Sequence, residues 1–235
     1  MSNTGFETPE YQLHNEKRQQ HLISLGLNLS NQSVLEVGAG VGDHTHMFLN
    51  RKCNVTVTDG RVSNVVEIAK RFPELQVLLL DMENPWDTVI SNDSFDIVYC
   101  YGLLYHLSDP SIAIKFMGEV CSKTTLIETK VNTRNDYDML VGNENSLCSV
   151  DSIYGKCCKP SRKWMFEMLK KHFGYVYMPI TQPNHDEFPT DWTTNKNQNK
   201  EARAIFIGSH IKIDNDQLIP SIPDKQLTYT GSVKL

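Results

Sequence analysis

Short apolar runs recur through the first half of this chain, each ending in a glycine or a polar residue. "SVLEVGAG" ends in glycines, "NVTVTDG" in Asp59 and Gly60, and "LQVLLLDMEN" leads to Asp81. "SFDIVYCYGLLYHL" runs into Tyr101 and His106, and "TTLIETKV" delivers Glu128 and Lys130. Runs this short and this continuously apolar suit strands covered on both faces, as in a parallel sheet. Between them lie segments of helical period: "DHTHMFLNRK", "NVVEIAKRF" closed by Pro73, and "DPSIAIKFMGEVC" with Pro110 near its start. Parallel neighbours need a crossover, and a helix is the usual one, so the alternation predicts an α/β layer architecture.

The second half is less regular. Asn132 to Pro160 is polar and rich in Asn, Asp and Ser, and reads as a long functional loop. "SRKWMFEMLKKHF" returns to a helix with Ser161 as its N-cap. "YVYMPIT" and "RAIFIGSH" are two more strands, joined by a long connection of the kind found in an antiparallel pair at a sheet edge. The full prediction is a Rossmann-like, doubly wound, seven-stranded and mostly parallel sheet with an antiparallel last strand and helices on both faces. It fills one domain, residues 1–210, with 1–28 as an N-terminal lid helix and 132–160 as a substrate-region insertion. Residues 211–235 read as a tail, extended or disordered.

Composition removes several classes of function. A chain of 235 residues buries a full core without staples. Lys and Arg number 23 against 28 Asp and Glu, and the net charge of −5 gives no global field that favours nucleic acid or an anionic membrane. The longest apolar runs are far too short to cross a bilayer. The polar start lacks the apolar core of a secretory signal, and the six cysteines form no CxxC pair, so they read as reduced thiols of a cytoplasmic protein. Adjacent cysteines such as Cys157 and Cys158 make a poor metal clamp, and no metal site is expected.

In an open α/β sheet, ligands bind outside the carboxyl ends of the strands. The first such end is "VLEVGAGVGDHT", with Glu36, Gly38, Gly40 and Gly42 at alternate positions. The spacing is not the GxGxxG of a dinucleotide loop, and no GxxxxGK of a phosphate loop is present. Glu36 also repels a phosphate and suits a ligand with a cationic end.

Here the residues carry a family resemblance. "LEVGAGVG" resembles the first motif of class I S-adenosylmethionine-dependent methyltransferases. Asp59 and Gly60 follow at the end of the second strand, where an acid grips ribose hydroxyls. "LLLDMEN" is similar to the third-strand motif, which implies that Asp81 meets the adenine amino group and Met82 packs on the ring. "FDIVYCYGLLYHLSDP" is similar to the fourth-strand motif, which implies that Tyr101 and Gly102 line the methionine part. The resemblance covers roughly Tyr11 to His210. It implies the cofactor S-adenosyl-L-methionine, with S-adenosyl-L-homocysteine as product, held by Glu36, Gly38, Ala39, Gly40, Gly42 and these residues. An arginine or tyrosine from the N-terminal helix often meets the cofactor carboxylate in related enzymes, which points to Arg18 and Tyr11, with His14 beside them.

His106 is the candidate base, because its ordinary pKa lies near neutrality and it follows the fourth strand. Tyr105 is a candidate pocket residue. "QPNHDEFPTDW" puts Asn184, His185, Asp186 and Glu187 on one loop, of which His185 and Asp186 are candidate substrate contacts. Arg162, at a helix N-terminus where its charge opposes the macrodipole, is a candidate for an acidic substrate group. Plainer readings stand beside these. Asp59-Gly60 could be a turn, Asp81 a cap, His106 a packing residue, the late loop a solvated acidic turn, and the partner of Arg162 a protein acid.

"YGLLYHLSDP", "SRKW" and "TQPNHDEFPTDW" are similar to uncharacterised bacterial small-molecule and sugar methyltransferases. That likeness implies methyl transfer to a hydroxyl, or an amine, of a small molecule or sugar. "LLYHL" also resembles wobble-uridine tRNA-modifying enzymes. RNA methylation, and a non-catalytic cofactor-binding module, are the alternatives.

Overall fold

The computed structural model describes residues 6–88, 90–134, 136–148, 150–194 and 202–231. Helix α1 spans Pro9–Ser24, with Pro9 in its first turn and the Thr8 hydroxyl accepting from the Tyr11 amide at 3.2 Å. Then come β1 (Ser33–Glu36), α2 (Thr45–Leu49), β2 (Asn54–Asp59), α3 (Val62–Arg71) and β3 (Gln76–Leu79). β4 (Phe95–Tyr101), α4 (Pro110–Val120) and β5 (Cys121–Val131) complete the alternating half. Asp109 caps α4 by accepting from the Ser111 amide.

β1 pairs in parallel with both β2 and β4, β2 with β3, and β4 with β5. Chain order therefore reverses between β1 and β4, the switch point at which such sheets open a crevice.

The segment expected as a loop over 132–160 instead contains an antiparallel hairpin, β6 (Met139–Asn143) with β7 (Lys156–Pro160). It holds because one face is buried: Cys158 is covered and its thiol meets the Leu104 carbonyl at 3.5 Å. Helix α5 (Arg162–Lys170) follows, capped as the sequence predicts by Ser161, whose hydroxyl accepts from the Trp164 amide. Then come β8 (Tyr175–Pro179), β9 (Thr181–Gln182) and β10 (Ala202–Ser209). β10 inserts between β5 and β8 and runs antiparallel to both. β1 to β5, β8 and β10 are the seven strands the sequence predicts, and part of the long connection between β9 and β10, residues 195–201, lies outside the described residues.

The tail adds an eighth strand. β11 (Leu218–Ile219) pairs with the edge of β8, and β12 (Leu227–Thr228) pairs with β9. Only the first of these pairs extends the main sheet, and residues 232–235 lie outside the described residues.

Side chains alternate across the sheet as strand geometry requires. Leu35, Val98, Cys100 and Ile127 face α4 and α5 in one apolar layer. Val34, Val57, Ile97 and Tyr99 face α1, α2 and α3 in the other. Burial on both faces fixes the strand register, and so fixes which residues reach the carboxyl edge.

Candidate active site

The loop after β1 is held by backbone. The Val37 amide donates to the Tyr99 carbonyl and the Ala39 amide to the Thr58 carbonyl, each at 2.9 Å. Gly38 sits at φ +65°, and a Cβ there would lie 2.8 Å from the Leu103 side chain. Both the turn and the close approach therefore need glycine. Glu36 is fully buried and accepts from the Thr45 hydroxyl at 2.7 Å. Burial pushes its carboxyl up to about 7, against the pull of that hydrogen bond.

Asp59 ends β2. Its carboxylate accepts from the Gly40 amide (2.9 Å), the Arg61 amide (2.9 Å) and the Asn64 side chain (3.1 Å). Burial raises its pKa despite these three donors. Of roughly four lone-pair sites on a carboxylate, three are taken by the loop and helix it ties together. Asp81, beyond β3, accepts from the Glu83 amide, the Asn84 amide group and the Tyr154 hydroxyl, the last at 2.6 Å.

At the far end, three charged residues meet out of water. Arg18 donates from Nη1 to Glu128 Oε2 at 2.6 Å, and Arg203 from Nη1 to Glu128 Oε1 at 3.0 Å. Arg18 also reaches Asn15, and Arg203 reaches Glu187 and the Tyr105 hydroxyl. Burial would raise the Glu128 carboxyl, but the two guanidiniums outweigh it and hold it below the usual range. His14 lies tilted against His185, ring centroids 4.7 Å apart, and burial together with Arg18 and Arg203 drives its pKa far down, so it stays neutral. His106 lies half-buried, its ring 4.0 Å from that of Tyr105, with Nδ1 2.5 Å from Glu144 Oε2.

The glycine loop, Asp59, Asp81, Arg18, Arg203, His14 and His106 line one cavity of about 490 Å³, and Glu128 lies behind its wall. Fifteen of the residues picked from sequence meet there: Tyr11, Arg18, Glu36, Gly38, Ala39, Gly40, Asp59, Gly60, Asp81, Met82, Tyr101, Gly102, Tyr105, His106 and His185. Three do not. Gly42, at φ +81°, packs toward Phe72. Asp186 points to solvent beside the cavity. Arg162 is buried elsewhere, with Nη1 on the Pro223 carbonyl at 2.6 Å and its guanidinium 4.0 Å over the Trp192 ring. A carbonyl and an aromatic face, rather than a substrate anion, answer its charge. Sequence reading missed Arg61, Glu144, Tyr154 and Arg203 as cavity residues, and read Glu128 only as a strand end. Among the described residues, no group of three or more His, Cys, Asp or Glu is placed to hold a metal.

A family model described as a methyltransferase domain matches residues 34–123, the span from β1 through α4 that supplies the glycine loop, Asp59, Asp81 and Tyr101. Over residues 34–123 the chain is thus similar to a methyltransferase domain. The methyltransferase fold is shared with solved structures of low identity. The N-terminal domain of EvdMO1 with SAH bound is 16% identical, over 86% of this chain and 81% of that one, with a TM-score of 0.60. An S-adenosylmethionine-dependent methyltransferase from Mesorhizobium loti is 12% identical, over 84% of this chain and 99% of that one, also with a TM-score of 0.60. No curated protein sequence matches the chain.

The cavity fits the cofactor of a methyltransferase. The Tyr101 hydroxyl, the Ser152 hydroxyl and Arg18 Nε line it and are buried, with no hydrogen-bond partner among the described residues. Buried polar atoms of this kind are normally satisfied, so the wall is built for a polar ligand. The close packing at Gly38 keeps the loop backbone against the crevice, where a side chain would displace it.

Proposed function

We propose that this methyltransferase acts on a hydroxyl, or an amine, of a small molecule or sugar in the cytoplasm. The observation that carries this reading is the His106–Glu144 pair, set in the wall of the same cavity as the glycine loop, Asp59 and Asp81. Asp59, Asp81, Met82 and the glycine loop would hold the adenosyl part of the cofactor, and Arg18, Tyr11 and Glu36 its amino-acid end. When bound, the cofactor supplies an activated sulfonium methyl group. The protein's own work is then to orient the acceptor, exclude water and remove a proton.

His106 is suited to the last of these. A carboxylate only accepts hydrogen bonds, so Nδ1 carries the proton and Nε2 of the neutral ring keeps its lone pair. A hydroxyl acceptor gives its proton to Nε2 as the new bond forms. Tyr105, Lys130, His185, Glu187 and Arg203 supply further donors and acceptors, which match an acceptor carrying several hydroxyls. The N-terminal domain of EvdMO1 was also crystallised in the presence of SAH and D-fucose, which supports a sugar. Net charge −5 supports a small acceptor over RNA. The free cysteines fit a reducing compartment, and no described helix is long and apolar enough to cross a membrane.

The test is release of S-adenosylhomocysteine with a panel of sugars and small hydroxylated acceptors. His106→Ala should slow turnover by about 10²–10⁴-fold while cofactor affinity stays unchanged. A rate within a few-fold of wild type would overturn the assignment of the base.

A further inference from the structure

In the connection between β6 and β7, Glu144 and residues 150–154 line the cavity, and the contacts of its described residues reach both ends. At the β2 end, Arg61 Nη2 donates to three of its carbonyls, Ser146 at 3.2 Å and Asp151 and Ser152 at 3.0 Å. Ile153 packs so tightly over Gly60 that a Cβ there would lie 2.5 Å away. At the β4 end, Glu144 Oε2 faces His106 Nδ1 at 2.5 Å and accepts from the Ser152 amide at 2.8 Å. The Glu144 amide donates to the Gly155 carbonyl at 3.0 Å, closing the turn on itself. Ser152 is the joint. Its carbonyl takes Arg61 and its amide holds Glu144, and the residue is almost fully buried.

We propose that Glu144 is a positioning residue for His106, and that Arg61, through Ser152, sets Glu144. The ribose end of the cofactor site thereby governs the orientation and tautomer of the imidazole at the acceptor end. This rests on the reading of His106 as the base. Burial alone would raise the Glu144 carboxyl, but the His106 hydrogen bond, the His106 charge and the Ser152 amide hold it below its ordinary value, so it faces the ring ionised. The other groups around the ring are Tyr105 on its own turn, Lys130 of β5 and Arg203 of β10. Lys130 and Arg203 each stand 4.9 Å over the Tyr105 ring. The carboxylate is in direct contact with the ring, while the two cations stand across the tyrosine.

Heteronuclear NMR of the His106 ring reads this without turnover. In wild type the neutral ring should hold its proton on Nδ1. In Glu144→Gln, whose side-chain amide can donate as well as accept, the preference for Nδ1 protonation should weaken. In Glu144→Ala that preference should be lost. Arg61→Ala should move the same signals in the same direction by a smaller amount, although Arg61 has no hydrogen bond to His106. A His106 tautomer unchanged in both Glu144 variants would overturn the role of Glu144. Signals that move in Glu144→Gln but not in Arg61→Ala would overturn the link through Ser152. Calorimetry with S-adenosylhomocysteine on the wild-type sample separates the two readings: absent binding would refute the proposed function and leave the NMR result standing.

Discussion

Replacing Glu128 by Gln should be among the most damaging single changes this fold can take. Glu128 has 0% exposure and bonds two guanidiniums that are themselves buried, at 2.6 Å and 3.0 Å. Arg18 belongs to α1, Glu128 to β5 and Arg203 to β10, so one carboxylate ties the N-terminal helix and the antiparallel edge to the centre of the sheet. A Gln keeps the shape but loses the charge and turns two donors toward groups that only donate. Breaking a buried pair by removing one partner costs about 3–5 kcal/mol, because the remaining charge is stranded. Arg18 is left here without a carboxylate among the described residues while Arg203 keeps Glu187, which puts the expected loss in that range even with the volume kept. For a domain of this size, that is a fall in Tm of roughly 6–20 °C. Urea denaturation followed by circular dichroism, at pH 7.5 and again in acid, provides the assay. The folded pKa of Glu128 lies below its unfolded value, so its contribution is complete above the unfolded carboxylate pKa of about 4.3 and fades as pH falls through the folded one. The gap between wild type and variant should therefore close in acid. A loss under about 1 kcal/mol at pH 7.5, the scale of an exposed pair, would refute the claim that the triad is dry and coupled.

Glu36 should behave in the opposite sense. Its folded pKa is raised from 4.5 to about 7, so the stability it permits is complete below pH 4.5 and is lost as pH rises to about 7. Glu36→Gln should remove that fall and leave the variant about 3 kcal/mol more stable at pH 8 than wild type, while near pH 4 the two coincide; parallel pH profiles in urea would contradict this. Gly38→Ala should cost about 1–3 kcal/mol from its left-handed backbone, and should weaken cofactor binding as the new methyl pushes on Leu103. Equal melting and equal affinity would show that the loop can yield.

The parallel half of the fold was legible because each strand is buried on both faces. Its apolar run, its length and its polar end stand together in sequence, and parallel pairing gathers those ends on one edge. That is why Glu36, Asp59, Asp81, Tyr101 and His106 could be assigned to one site from the chain alone. Glu128, Arg18 and Arg203 could not be joined, because they meet across separations of 110 and 75 residues and through an antiparallel insertion that has no local signature. Hairpin β6–β7 was hidden for a related reason. "MLVGN" and "KCCKP" have little alternation, and their burial comes from Leu104 and the sheet end rather than from each other. Arg162 misled because a charge opposing a helix dipole asks for a partner without saying which, and Pro223 and Trp192 answered. The tail strands β11 and β12 are two residues each, too short to show a period.

Calorimetric titration of the purified chain with S-adenosylhomocysteine tests the central claim most directly. The account predicts saturable binding at one site in wild type. It also predicts that affinity falls by about 1.5–3 kcal/mol in Asp59→Ala, as for a lost hydrogen bond to a charged group. A folded wild-type protein that takes up no S-adenosylhomocysteine, or an Asp59→Ala variant that binds it as tightly as wild type, would contradict the placement of the cofactor at this edge of the sheet.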